Sequence, residues 1–410
     1  FGIYGILELK NFGSLTSADE VANFSLFDRL AIGGYSFMVY LAKWIFPYRM
    51  SPLYPYESTI PFMYYILAAL ALVFTLAALN TAYKKDLRAI LAGFLFFIVN
   101  IVFMLQILGA GQGFLADRFT YIAYFGLFFI LGYYGEQLML TKPQLKNAIL
   151  GIAGLYVTIF GIMTIKQNNI WDNSGTLWTH VMKYYTNTTL PYGNRANYYR
   201  DKKMIKEALA DYDATIKMKD NQPGAYNSRA RLFFDIAKGR DTLLLALADY
   251  NKAIEYDAND GEFWINRGAT HARLGMLDEA IRDLDHGLKL KPDHLTGYIN
   301  RSIMYRASGK IDLSLKDIEE YLRRNPYNGD IWYEKGNALR MLQRDADAIA
   351  AYTEALKFET PNVALYYYER SKANYAVNRR AEAISDYNEA INRGYKETDN
   401  RYRNEILKGL

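Results

Sequence analysis

The chain has 410 residues, 51% of them hydrophobic and 15% aromatic, with a formal net charge of +5. It contains no cysteine, which excludes disulfides, thiolate catalysis and cysteine-based metal sites. Residues 1–172 carry 11 Lys and Arg against 9 Asp and Glu, and residues 173–410 carry 37 against 34, so neither half has a nucleic-acid footprint and no nucleic-acid partner is expected.

The chain opens at Phe1 with no methionine, basic n-region or small-residue cleavage site, and does not read as a signal peptide or a natural start. Asp19 and Glu20 sit in Ser17-Ala18-Asp19-Glu20 and read as the acidic first turn of a capped helix. Leu30–Pro47 is apolar but interrupted by Lys43 and rimmed by Arg29 and Arg49. It reads either as a span or as an interfacial helix whose Lys snorkels to the headgroups.

Four further stretches are long and apolar enough for a bilayer, which takes about 20 helical residues. They are Ile60–Leu79, Leu87–Leu108, Phe119–Tyr134 with its flanks, and Ala148–Ile165. Lys84, Lys85 and Arg88 follow the first, and Lys142 and Lys146 precede the last, so these two turns read as cytoplasmic. Counting forward places everything after Ile165 outside, in the periplasm if the membrane is a bacterial inner membrane. Tyr and Trp crowd the span ends, among them Tyr40, Trp44, Tyr48, Tyr54, Tyr64 and Tyr121. They read as headgroup-level anchors, or alternatively as the lining of a lipid-linked sugar site.

Two outward loops carry the chemistry of this half. Phe46-Pro47-Tyr48-Arg49-Met50-Ser51-Pro52-Leu53-Tyr54-Pro55-Tyr56 alternates proline with aromatics and cannot be helical. Residues 109–121 make a glycine-rich turn and then place Asp117, Arg118 and Tyr121 at the mouth of a membrane helix. Ionisable groups at such depth pair or act. Arg118 suits a lipid phosphate because a guanidinium binds phosphate oxygens bidentately, and Arg49 and Tyr121 are its candidate helpers. The alternative is an Asp117–Arg118 pair or an Arg118 that snorkels.

Residues 173–190 read as a docking helix leaving the membrane, with Trp171 and Trp178 as anchors. Beyond it Tyr192, Tyr226, Trp264, Tyr298, Trp332 and Tyr367 recur at spacings of 34, 38, 34, 34 and 35. Ala208, Ala280, Ser314, Ala348 and Ala383 follow sixteen residues after five of them. This pattern resembles the tetratricopeptide repeat, a helix–turn–helix that stacks into a solenoid, over residues 191–394. Each repeat has a cation three residues after its aromatic (Arg195, Arg229, Arg267, Arg301, Lys335, Arg370) and most have a later Asp (Asp211, Asp249, Asp283, Asp317, Asp386). Only the repeat with Lys335 lacks the Asp, having Ala351 there, so the two positions are predicted to touch. The second repeat holds four extra residues near Lys238-Gly239-Arg240-Asp241. Residues 395–410 read as the polar capping helix.

Such a solenoid offers a groove for a protein or peptide partner, with Arg231, Arg273, Arg306, Arg340, Lys372 and Tyr375 as candidate lining and an acidic or polar peptide as the expected ligand. The four histidines have neither metal-ligand spacing nor a nucleophile, so no metal site and no cofactor is expected and no catalytic residue is assigned.

The fold class predicted is all-α, a membrane bundle of four to five spanning or interfacial helices over residues 1–172 followed by the α-solenoid. The order of the proline-rich loop, a basic inner turn, the Ala116-Asp117-Arg118-Phe119-Thr120-Tyr121 segment and a repeat array resembles the C-terminal part of the transmembrane and tetratricopeptide-repeat O-mannosyltransferases and their bacterial relatives. That resemblance implies a C-type glycosyltransferase using a polyprenyl-phosphate sugar donor, with membrane lipid and a protein acceptor as partners. It also implies a catalytic acidic residue in a first outer loop, which these residues do not contain. The alternatives are a non-catalytic membrane-anchored scaffold and, ranked lower, an O-antigen-ligase-like enzyme.

Overall fold

The computed structural model describes residues 24–51, 53–56, 59–105, 107, 113–396, 401–406 and 408. The Asp19 and Glu20 cap and residues 109–112 of the glycine-rich turn lie outside them. Among the described residues the regular secondary structure is all helical, apart from one isolated antiparallel bridge between Tyr54 and Leu115. The chain divides into two compact units, Phe1–Asp220 and Asn221–Leu410.

The first unit begins with α1 (Leu26–Ile45), capped by Ser25, whose Oγ accepts from the Asp28 backbone while Asp28 accepts from the Ser25 backbone. α2 (Phe62–Lys84), α3 (Arg88–Ile101), α4 (Tyr124–Thr141) and α5 (Lys146–Asn168) follow. Two helices, Phe62–Lys84 and the stretch Pro143–Trp171, are long and apolar enough to cross a membrane by length and composition, and Arg88–Met104 is a shorter apolar helix. Four to five were expected. The stretch expected at Leu87–Leu108 loosens into a 3-10 turn at Val102–Met104, and the one expected from Phe119 opens with a 3-10 turn at Asp117–Thr120 before α4 begins.

The core of this unit is aromatic, with Ile32, Phe37, Tyr40, Phe94, Phe97, Ile101 and Leu115 buried. Tyr40, Tyr54 and Tyr64 belong to it, whereas Tyr48 and Tyr121 are exposed, so the tyrosines do not form one uniform belt. α3 and α4 touch at their backbones: a Cβ on Gly126 would lie 2.2 Å from the Gly93 carbonyl oxygen. Only glycine allows that approach. The unit ends with α6 (Ser174–Met182), α7 (Thr189–Asp201) and α8 (Ile205–Met218), so the first repeat is packed within it.

The second unit is five antiparallel helix pairs: α9 (Pro223–Ile236) with α10 (Arg240–Tyr256), α11 (Gly261–Arg273) with α12 (Leu277–Leu290), α13 (Leu295–Ala307) with α14 (Ile311–Arg324), α15 (Gly329–Met341) with α16 (Asp345–Ala355), and α17 (Val363–Ala376) with α18 (Arg380–Asn392). The short α19 (Arg401–Ile406) closes it. The small residues at the sixteenth position are where paired helices meet: Ala280, Ala348 and Ala383 are fully buried, and Ser314 nearly so. In the second repeat the position moves to Ala246, also fully buried, because the extra residues go mostly into the start of α10, which has 17 residues against 14 in α12, while the turn before it keeps the length seen in the other repeats.

Candidate functional site

The proline-rich loop and the segment before α4 close on each other. Tyr54 donates its N–H to the Leu115 carbonyl at 3.0 Å, and Phe114 donates to the Tyr54 carbonyl at 3.0 Å. α1 holds the same segment from the other side, since the Tyr40 hydroxyl donates to the Ala116 carbonyl at 3.2 Å and accepts from the Ala116 N–H at 3.1 Å. Ser36 Oγ donates to the Phe114 carbonyl at 3.4 Å. Proline cannot supply a ladder N–H, so the pairing uses the non-proline residues between Pro52 and Pro55.

Asp117 lies at the centre of this clasp. Its carboxylate accepts from Lys43 Nζ at 2.9 Å, from the Ser51 N–H at 2.6 Å and from the Tyr54 hydroxyl at 3.0 Å. Lys43, 4% exposed, also bonds the Tyr54 hydroxyl and sits 4.5 Å from that ring's centre. Lys43, which could have snorkelled to the headgroups, is instead held in this buried bridge to Asp117. An isolated buried charge is costly, so each ion finds the other. Burial pushes the Asp117 carboxyl above its ordinary value, with Lys43 opposing the rise. Burial and the Asp117 charge push the Tyr54 phenol far up.

With its carboxylate spent inside, Asp117 is not a surface group, while its neighbour Arg118 is exposed, with its guanidinium 5.3 Å from the Phe119 ring centre. Arg49 is exposed too, on a backbone at φ +45°, and its carbonyl accepts from Tyr54 at 2.9 Å. Tyr121 is 68% exposed. Of the four residues picked from sequence at this mouth, one is interior and three are outward. α6 and the turn after it brace the loop: His180 Nε2 lies 2.9 Å from the Met50 carbonyl oxygen, and Tyr185, beyond the helix end, meets Tyr54 edge-on at 5.7 Å. The sequence singled out neither Lys43 nor Ser51 as a partner of Asp117, and their separation of 74 and 66 residues leaves no local signal.

In the repeats the predicted contact is present in every Arg-bearing pair. Arg195, Arg267, Arg301 and Arg370 each fork onto the Asp sixteen residues later, at 2.6–2.8 Å. Arg229 reaches Asp249, twenty residues on, so the four extra residues leave the fork intact. The remaining guanidinium nitrogen crosses to the preceding helix, as in Arg267 to Asn251 at 2.9 Å and Arg301 to Asp285 at 2.8 Å. In the fifth repeat Lys335 instead pairs with Glu319, which is half exposed. His271 packs as expected, its Nδ1 2.9 Å from Asp283, a place taken by Asn374 against Asp386 in the last repeat.

The groove candidates are largely matched within the chain. Arg306 pairs with Glu334, Arg340 with Glu369 at 2.6 Å and Asp345 at 3.2 Å, and Lys372 with Glu369 at 3.1 Å. Tyr375 donates to Glu405 at 3.4 Å. Arg273 donates to the Phe234 and Ala237 carbonyls at the end of α9. Arg231 is exposed. The recurrence of Glu 28 and 29 residues after Arg306 and Arg340, five or six residues short of a repeat, was the signal for this neutralisation.

Residues 303–364 and 261–294 each match the tetratricopeptide repeat family. These segments are tetratricopeptide repeats. The chain is also weakly similar to Protein O-mannosyl-transferase TMTC3 of Homo sapiens, 26% identical over 187 residues, covering 43% of this chain and 20% of that protein. With Protein O-mannosyl-transferase TMTC1 of Mus musculus it is 22% identical over 254 residues, covering 54% and 25%. The chain thus spans about a quarter or less of the length of these relatives. Among solved structures it aligns with Pseudomonas aeruginosa pilF at 17% identity and a TM-score of 0.43, covering 48% of this chain and 88% of that one.

Proposed function

We propose that the chain is the C-terminal membrane and tetratricopeptide portion of a protein glycosyltransferase that draws its sugar from a polyprenyl-phosphate donor, with the repeats presenting a protein acceptor. The similarity to the O-mannosyl-transferases supports the reaction class. On this reading Phe62–Lys84 and Pro143–Trp171 cross the membrane. Arg88–Met104 and Tyr124–Thr141 pack beside them. The turns bearing Lys84 and Lys142 face the cytoplasm and the repeats face the periplasm.

The observation that carries the reading is the division of labour at the clasp. Asp117 bonds Lys43 in the interior, while Arg118 and Arg49 lie exposed on the same two loops. A guanidinium so placed binds the donor phosphate, and Tyr121 beside it gives a ring face for the sugar or prenyl chain. The repeats, with most groove cations already paired, bind an acceptor through shape and polar contacts more than through net charge.

The test is donor dependence in membranes holding the whole natural protein. Charge-assisted hydrogen bonds are worth roughly 1.5–3 kcal/mol, so Arg118→Ala is expected to raise the donor KM about 10- to 100-fold at unchanged thermal stability. An unaltered donor KM would remove Arg118 from the donor site and the reading with it.

A further inference from the structure

The turn between α2 and α3 combines two features. An open apolar cleft of about 340 Å³ runs along α2 and is lined by Phe74, Ala78, Thr81 and Ala82, with Leu87 just before α3 and Ile90 within it. From Phe74 to Ala82 it follows roughly 12 Å of helix at 1.5 Å per residue. The Leu87 N–H, donating to the Ala82 carbonyl at 2.8 Å, closes its end. Immediately beyond stand Lys84, Lys85 and Arg88, all exposed, with Asp86 taking up Arg88 at 3.0 Å. Two positive charges therefore remain at the mouth of a hydrocarbon-lined slot.

We propose that this hairpin holds one anionic phospholipid, its headgroup phosphate on Lys84 and Lys85 and one acyl chain along the cleft. The inference rests on the reading that α2 spans a membrane. Charge complementarity selects the occupant. A lipid without net charge gains less from the lysines, and a second protein copy would have to bury them. Beyond Phe74 the α2 side chains lining the cleft are small, and Thr81 is the one polar side chain among those named. Basic pockets between membrane helices on the cytoplasmic side bind anionic headgroups in this way.

The experiment releases the whole natural protein from bilayers of equal phosphatidylglycerol and phosphatidylcholine and measures bound lipid by native mass spectrometry. The wild-type protein is expected to retain phosphatidylglycerol preferentially. A surface cation contributes about 1 kcal/mol, or close to fivefold in affinity, so Lys84→Ala/Lys85→Ala should lower the preference about 25-fold. Ala77→Trp, at an exposed position of the cleft wall, should displace the lipid without touching the lysines. Lys142→Ala/Lys146→Ala, which removes equal charge from the other basic turn, should leave the preference in place. An equal loss in that control, no preference in the wild type, or a dimer that Ala77→Trp abolishes would each overturn the site. Alkaline extraction separates the two readings: protein released from the membrane overturns the spanning reading itself, whereas protein retained without lipid preference overturns the lipid site alone.

Discussion

Lys43 Nζ lies 2.9 Å from Asp117 Oδ1, joining the last turn of α1 to the segment that leads into α4. Both side chains are shielded, at 4% and 9% exposure. Two consequences follow from the cost of burying one ion without its partner.

Lys43→Met leaves Asp117 inside with only neutral donors, and breaking one side of a buried pair costs about 3–5 kcal/mol. The melting temperature in detergent should fall sharply. Lys43→Met/Asp117→Leu, which removes both ions, should recover most of the loss. A double variant no more stable than the single would show that the hydrogen bonds to Ser51 and Tyr54, and not the charge pair, hold the clasp.

Arg267→Ala and Lys335→Ala probe one repeat position in two environments. Asp283, the partner of Arg267, is 7% exposed, whereas Glu319, the partner of Lys335, is 48% exposed. The first substitution should cost about 3–5 kcal/mol and the second no more than about 1 kcal/mol. Chemical denaturation of the two variants side by side gives the comparison. Equal losses would mean the fork acts by packing alone.

Acid should weaken the third repeat through Asp283. Burial opposes ionisation of its carboxyl, but hydrogen bonds from Arg267 and His271 outweigh it and hold the carboxyl below its ordinary value. A depressed folded-state value means the stabilisation is complete above the unfolded value of about 3.9 and disappears as pH falls through the lower folded one. Arg267→Ala should therefore lose less stability than wild type between about pH 5 and pH 2.5. Parallel pH profiles would contradict that assignment.

Gly126→Leu should disrupt the α3–α4 contact, where the obstructing atom is a backbone oxygen that cannot rotate away. Overpacking of this kind costs about 1–3 kcal/mol. Gly135→Ala in the same helix meets nothing within 4 Å and should stabilise by roughly 0.5–1 kcal/mol. Thermal shift assays in one detergent distinguish the two.

The repeats were legible because each feature recurs. Six aromatics at a near-constant period, and an Arg and an Asp that are replaced together by Lys335 and Ala351, turn a guess about contact into a test within one sequence. The clasp occurs once. Lys43, Ser51 and Asp117 are distant in sequence, and nothing near Lys43 distinguishes a snorkelling lysine from a buried one. The two loops could be recognised as irregular from their prolines and glycines, but their pairing depends on where α1 and α4 place them. The division after Asp220 was likewise hidden, since the period of the first repeat resembles that of the other five. What ties that repeat to the first unit is Arg195 reaching Thr179 at 3.0 Å in α6.

That attachment matters for anyone dissecting the molecule. A fragment cut at residue 173 would follow the change in hydropathy, yet it would tear His180 from Met50 and Tyr185 from Tyr54. A cut at residue 190 would also strand Arg195 without Thr179. The second compact unit begins at Asn221, and a fragment starting there gives up a whole repeat, which stays with Arg195 and Thr179 in the first unit.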